Sequence, residues 1–449
     1  MAGPTDRADI AEALVTSGDA ASAEPGARAW FVLWVLCFVY VLNFLDRSLL
    51  SILAKPIQDT LHVSDGQLGL IGGLYFGIFY CFISIPVGWL ADRTSRAKIL
   101  ALACGIWSAA TMACGLASNY AHLAIARMTV GVGEAGGVPP SYAIISDYFP
   151  SGRRGTALAI YNLGPPIGAA LGIAFGASIA AAYSWRDAFI LLGGIGVIAA
   201  VFIALLVREP VRGGLDAPSE SAKADIGDVA SGFWATIKMY FSRRTLVLAA
   251  VASGITQIIT YGSGNFGTLF LMREKGMTLE EVALYSSLVT GIGMSAGILV
   301  SGQVIDRVAR YSKPAYAWVP ALSLALAIPF FLGFVWAPNW QLAVALQIGP
   351  TFLNFFYLSS SVTLVQEEVR PDQRVMAGAL LLLIMNLTGM GIGPTFVGAM
   401  SDYFHTTHPA NSLQLAYYAL APFYVLAIIV FLWLARELRL ESKAKGDAR

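Results

Sequence analysis

Asn43-Phe44-Leu45-Asp46-Arg47-Ser48 places an acid beside a base inside Trp30 to Leu53, a run otherwise almost free of ionisable groups. A later apolar run holds a second acid and base, Arg127 and Glu134. An ionised side chain kept from water is costly, so such residues pair with one another or change charge state. Asp46 and Arg47 point about 100° apart on a helix and cannot neutralise each other along one face. Arg127 and Glu134 are seven residues apart, two turns, and share a face. The four form a formally neutral set whose simplest layout pairs Arg47 with Glu134, or Asp46 with Arg127, across two helices. The chemistry this allows is proton exchange. Desolvation and a nearby arginine act in opposite senses on a carboxylate's hold on its proton, and a small arginine movement exchanges the two. Asp46 or Glu134 is the expected proton carrier, and the freed Arg47 or Arg127 suits an anionic headgroup through its fork of donors. The competing reading is a permanent staple between helices. A static pair can be replaced by apolar residues without loss of stability, which favours the changing charge state.

The elements that must hold these residues are membrane spans. The 449 residues are 57% hydrophobic and only 13% charged, too apolar for a soluble protein of two or three domains. A net charge of +1 argues against nucleic acid as a partner. Cys37, Cys81, Cys104 and Cys114 all fall in apolar runs, where buried thiols are common and a disulfide or metal site is not expected. Apolar runs of about 20 residues predict helices near 30–53, 67–90, 98–117, 121–147, 154–181 and 187–207, then 245–272, 281–303, 315–336, 340–364, 373–400 and 412–435. The expected organisation is a disordered tail at 1–29 without a cleavable signal, a six-helix bundle at 30–208, a linker at 209–244, a second bundle at 245–436 and a tail at 437–449. The linker carries one amphipathic piece around Phe233 to Tyr240. Of the 29 lysines and arginines, only Lys55, Arg186, Arg273 and Lys275 fall opposite the side carrying both termini, and Arg47 and Arg127 lie within spans. That asymmetry predicts cytoplasmic termini, and the membrane expected is a bacterial inner membrane.

The halves repeat. Gly88-Trp89-Leu90-Ala91-Asp92-Arg93, followed by Arg96 and Lys98, matches Gly302-Gln303-Val304-Ile305-Asp306-Arg307, followed by Arg310 and Lys313. Arg154 and Arg374 each open the fifth helix of their half. Such a repeat implies two parallel bundles related by an axis along the membrane normal. On the Gly-x-x-x-Asp-Arg loop, present in both halves, the chain resembles the major facilitator superfamily over essentially its whole length. Within it, Asn43-Phe44-Leu45-Asp46-Arg47 and Arg127-Met128-Thr129-Val130-Gly131-Val132-Gly133-Glu134-Ala135 resemble the spinster family. The resemblance implies an all-α membrane protein of twelve transmembrane helices in two pseudo-symmetric six-helix bundles. It also implies a transporter, which in the family's animal members moves lysolipids and sphingoid phosphates, with proton coupling, and a gating role for Gly88, Asp92, Arg93, Gly302, Asp306 and Arg307. Arg96, with Asp147 at the end of helix four, and Arg154 are expected in the same gate.

The second half carries no mid-span charge and offers Tyr261, Asn265, Asn354 and Tyr357 as neutral substrate contacts, opposite Asn43, Arg47 and Arg127. Gly164, Gly168, Gly172 and Gly176, with Pro165 and Pro166 among them, predict a kinked helix five whose smooth face lies close to a neighbour, expected from the other half. Three enzyme-like strings fail on context. Gly131 to Gly136 fits a dinucleotide fingerprint with no preceding strand, Gly293 to Gly297 fits a nucleophile elbow inside a span, and Ser95 with Lys98 lies in the gate loop. The reading is a monomeric secondary active transporter that needs no cofactor and uses H⁺ as coupling ion. Its cargo is an amphiphilic lipid drawn from the bilayer. A transporter of small organic anions or drugs, and a non-transporting receptor or scaffold, are the alternatives.

Overall fold

The computed structural model describes residues 25–210, 226–370 and 373–446, with the side chains at 92, 151–152, 226–233, 375 and 443–446 outside that set. Among these residues every regular element is helical, as apolar segments must be where no water satisfies the backbone. Helix one is Ala27–Ile52 and is followed by a short surface helix, Ala54–Leu61. Helix two runs as Asp65–Gly69, a π-helical turn Leu70–Leu74, and Tyr75–Arg93. Helix three is Arg96–Gly115, helix four Tyr120–Glu134 and Val138–Tyr148, helix five Ser151–Tyr161 and Gly164–Ala182, and helix six Trp185–Leu206. The linker helix Ile226–Ser242 leads to helix seven, Arg244–Lys275. Helix eight is Leu279–Glu281, a π-helical turn Val282–Ser286, and Ser287–Ala309. Helix nine is Ala315–Trp336, ten Trp340–Leu353 and Phe356–Glu368, eleven Arg374–His405, and twelve Ser412–Tyr418 and Ala421–Gly446. Eleven of these are long and apolar enough to cross a membrane, and the broken helix four makes the twelfth. Large apolar side chains such as Trp34, Phe82, Leu102, Ile198 and Leu205 point outward, as a lipid environment requires.

The two six-helix halves echo each other in detail. Helices two and eight both open with a capping box, Ser64 with Gln67 and Thr278 with Glu281, and both then pass through a π-helical turn. Asn119 caps helix four and Asn339 caps helix ten. Arg154 Nε donates to the carbonyls of Ser146 and Phe149, while Arg374 Nε donates to that of Gln366.

Three expectations are corrected. Helix four is not continuous over 121–147: it stops at Glu134 and resumes at Val138, because Gly136-Gly137 and Pro139-Pro140 withdraw helix-stabilising groups at one place. Helix five breaks at Asn162-Leu163 rather than bending at the prolines, and Pro165 and Pro166 lie in the first turn of the resumed piece, where a missing N–H is harmless. Finally, the glycine ladder faces its own half. A Cβ on Gly168 would lie 2.4 Å from the Val41 carbonyl, and one on Gly172 would lie 2.7 Å from that of Leu45. Both neighbours belong to helix one. The contact of helix five with the other half is on its opposite side, where Ala170 meets Gly291 of helix eight. Spacing shows a smooth face but not which neighbour uses it.

Gly168→Ala is therefore expected to destabilise the protein by about 1–3 kcal/mol through overpacking. Gly194→Ala, whose added methyl meets nothing within 4 Å, is expected to be neutral or stabilising by up to about 1 kcal/mol. Thermal melting of the two purified variants distinguishes them.

Candidate functional site: a buried charge cluster and the closure above it

Helix five packs closely on helix one, and Asn43 and Asp46 of helix one are buried in the first half. Arg47, on the next position round the helix, keeps its side chain 14% exposed. Helix four supplies the partners. Arg47 Nε donates to Glu134 Oε2 at 2.6 Å. Arg127 Nη1 lies 3.6 Å from Asp46 Oδ1, an ion pair without a hydrogen bond. The structure thus forms both pairings at once. Thr111 of helix three adds a hydrogen bond, its Oγ1 donating to Asp46 Oδ2 at 2.6 Å.

The cluster is only partly satisfied. Glu134 Oε1, Asp46 Oδ1, Nε and Nη1 of Arg127, and both amide atoms of Asn43 are buried without a hydrogen bond. A network with this much unused hydrogen-bonding capacity at low dielectric makes a poor permanent staple. Arg47 is also caged by rings: its guanidinium carbon lies 5.0 Å from the Phe44 centroid, 5.2 Å from Phe76 and 4.6 Å from Tyr80. Arg127 shares Phe76 at 5.3 Å. Tyr261 reaches Arg47 from helix seven, bringing the second half to the same side chain.

Among the remaining polar candidates, Asn43 and Arg127 lie behind Arg47, buried. Asn265 donates to its own helix at Tyr261, and its backbone carbonyl accepts from Ser51, where helices one and seven meet. Tyr357 is buried beside Gln257. Asn354 donates to the Tyr424 hydroxyl and ties helix ten to helix twelve. Arg47 and Tyr261 are therefore brought together, whereas Asn354 is engaged elsewhere.

On the face carrying the termini, Arg96 pairs with Asp147 and Arg93 stacks on Trp89. The Asp92 side chain lies outside the described residues. In the second half Asp306 is near Tyr316, whose hydroxyl donates to Glu367, and Arg307 ends helix eight. Glu209 caps helix three, accepting from Ser95 Oγ and from the backbone of Arg96 and Ala97. A Cβ on Gly88 would meet nothing within 4 Å, and one on Gly302 only Ser359 Oγ at 3.9 Å. Neither motif glycine is pressed against a neighbour.

The opposite face is closed by residues that sequence reasoning did not single out. Asp65 at the start of helix two accepts from Arg273 Nη1 at 3.0 Å and Nη2 at 2.8 Å. Gln58 and Ser401 complete its shell. Asp402 of helix eleven accepts from Ser64 Oγ at 2.7 Å and from the Gly66 backbone at 3.0 Å, capping helix two from across the interface. Below them Gly69 and Gly73 pack on Pro394 and Thr395 so closely that an added Cβ would come within 2.5 and 2.9 Å. The one signal available was the Ser64-x-x-Gln67 capping box, which fixes where helix two begins. This face is therefore tied shut across the halves, whereas neither motif glycine on the face carrying the termini is pressed by the other half.

The sequence matches the Major Facilitator Superfamily over residues 36–387. It is 31% identical over 409 residues to an MFS-type efflux pump of Mycolicibacterium smegmatis, covering 91% of this chain and 92% of that protein. It is 29% identical over 406 residues to the hexuronate transporter of Bacillus subtilis (88% and 94% covered). It is 26% identical over 408 residues to protein spinster homolog 1 of Homo sapiens (87% and 76% covered). The crystal structure of a bacterial homolog to the human lysosomal transporter Spinster, inward-facing and unoccupied, superposes with a TM-score of 0.82 at 26% identity, covering 92% of this chain and 98% of that one. Spinster proteins are thus among its relatives, and the chain belongs to the major facilitator superfamily, whose members are membrane transporters and not enzymes.

Proposed function

We propose that this transporter exchanges protons for an amphiphilic lipid with an anionic head, such as a lysophospholipid or sphingoid phosphate. The face carrying the termini is cytoplasmic, and the membrane is the bacterial inner membrane. The observation that carries the reading is Arg47: partly exposed, held by a single carboxylate oxygen of Glu134, and walled by Phe44, Phe76, Tyr80 and Tyr261. A headgroup oxyanion reaching this guanidinium competes with Glu134, and the rings accept the apolar part of the cargo. Once displaced, Glu134 is a buried carboxylate without its cation and takes a proton, or hands the requirement to Asp46 through Arg127. The relation to spinster homologs supports a lipid cargo. A second reading, proton-coupled transport of small organic anions or drugs, is supported by the relatives named as a hexuronate transporter and an efflux pump.

Lipid extraction and mass spectrometry of the purified protein, followed by flux of the enriched species into liposomes, decides between the two cargoes. Asp46→Asn and Glu134→Gln are each expected to reduce flux driven by an imposed pH gradient at least about tenfold. If substrate movement ignores the gradient in the unmodified protein, the proton leaves the scheme. Arg47→Lys keeps the charge but loses the fork, and is expected to raise KM by about 10–100-fold, the worth of one charged hydrogen bond.

Alternating access makes a further demand on the closed face. Asp65→Asn weakens the pair with Arg273, and with Arg273 partly exposed the loss is about 1–3 kcal/mol. The population open on that face is expected to rise about tenfold, seen as longer spin-label distances between the far ends of helices two and eleven. Unchanged distances would count against the lock.

A further inference from the structure

Asp46 has one hydrogen-bond partner among the described residues, and that partner has two acceptors. Thr111 Oγ1 lies 2.6 Å from Asp46 Oδ2 and 2.9 Å from the Trp107 carbonyl one turn back on its own helix. A threonine hydroxyl carries one hydrogen and two lone pairs, whereas a carbonyl oxygen only accepts. The two contacts cannot both be full donations at the same moment. They are, however, the two contacts needed by the two charge states of Asp46.

We infer that Thr111 is a positioning residue that lets Asp46 gain and lose its proton without giving up their hydrogen bond. The inference rests on the proposed proton coupling. With Asp46 ionised, the Thr111 hydrogen points at Oδ2. With Asp46 protonated on Oδ2, the carboxyl hydrogen points at a lone pair of Oγ1, and the hydroxyl hydrogen turns to the Trp107 carbonyl. One rotation about the threonine C–O bond connects the two states, with no other group moved. The surroundings permit it. A cavity of about 10 Å³, room for one water, lies against the carboxylate and is lined by Trp107, Ser108 and Thr111 of helix three and Leu192, Gly193 and Gly196 of helix six. A Cβ on Gly196 would lie 2.1 Å from Ser108 Oγ, so the glycine keeps this side of Asp46 uncrowded.

The ionisable groups facing Asp46 are Arg47 on its own helix, Arg127 and Glu134 on helix four, and the Cys114 thiol on helix three. Helix six contributes only Leu192, Gly193 and Gly196 to the cavity, and helix five meets helix one through its glycines. Thr111 is thus the hydroxyl that adapts to proton traffic, while the arginines set the field in which it happens.

The test needs no knowledge of the cargo. Infrared difference spectra of the purified protein, titrated with pH, contain the carboxyl band of protonated Asp46, identified by its loss in Asp46→Asn. In Thr111→Val that band is expected to move to the frequency of a carboxyl group without an acceptor. Its midpoint is expected to shift about one pH unit alkaline, the difference between a charge-assisted and an ordinary hydrogen bond. Thr111→Ser is expected to restore both. If Thr111→Val does not fold, Thr111→Ala carries the same comparison. A band and midpoint that ignore these substitutions overturn the role of Thr111 and leave proton coupling standing. Spectra in which Asp46→Asn removes no titrating band overturn the proton coupling itself, and this inference with it.

Discussion

The expense of holding ionised groups away from water shapes the first half of this protein. Asp46, Arg47, Arg127 and Glu134 cancel in net charge, yet cancellation alone does not satisfy them, because several of their atoms remain without hydrogen bonds. Their pairings run between helices one and four, and helix one is in turn held closely by helix five. Its glycines let backbone rest on backbone against helix one, so the element that carries Asp46 and Arg47 is seated by residues that carry no charge. Electrostatics here is positioned by packing.

The second half contributes in another way. It brings no mid-span ion to the cluster but reaches it through Tyr261. It also owns most of the closure opposite the termini, through Arg273, Ser401, Asp402 and the backbone of helix eleven. The same two bodies therefore meet in the middle where Tyr261 reaches the Arg47 guanidinium and Ser51 the Asn265 carbonyl, and at ion-paired, hydrogen-bonded contacts at one end. Asp65 and Ser401 are buried at that end too, but Arg273 keeps 22% of its side chain exposed, so water reaches this contact, whereas Glu134 in the central set is fully buried.

Much of this was legible in the residues. Charges in mid-span, the repeated Gly-x-x-x-Asp-Arg loop and the basic residues around it announce the architecture, because each is rare unless used. The partner pairs Arg47–Glu134 and Asp46–Arg127 follow from helical geometry and charge balance. What stayed hidden has a common cause. Asp65, Arg273 and Asp402 stand at span ends, where charge is ordinary, and their partners lie in the opposite half of the chain. Thr111 is a single hydroxyl in an apolar helix, a residue type that usually bonds its own preceding turn, as this one also does. The target of the helix five glycines and the break after Glu134 depend on which backbones touch, and side-chain identity records that only indirectly.

The uneven engagement of helix two makes it a lever. From Ser64 to Gly77, about 20 Å of helix lies against helix eleven; from Gly77 to Arg93, about 24 Å carries the motif glycine in open space. Gly77, whose missing Cβ would lie 3.3 Å from the Gly391 backbone nitrogen, stands near the fulcrum. A tilt of about 10° about that point carries each end by about 4 Å, in opposite directions. That displacement is larger than any hydrogen bond can stretch, so a tilt that carries the Gly88 end sideways would also pull Ser64 and Gly66 from Asp402. Such a tilt would need no messenger between the two faces, because a single helix, though interrupted by its π-helical turn and by Pro86, reaches both.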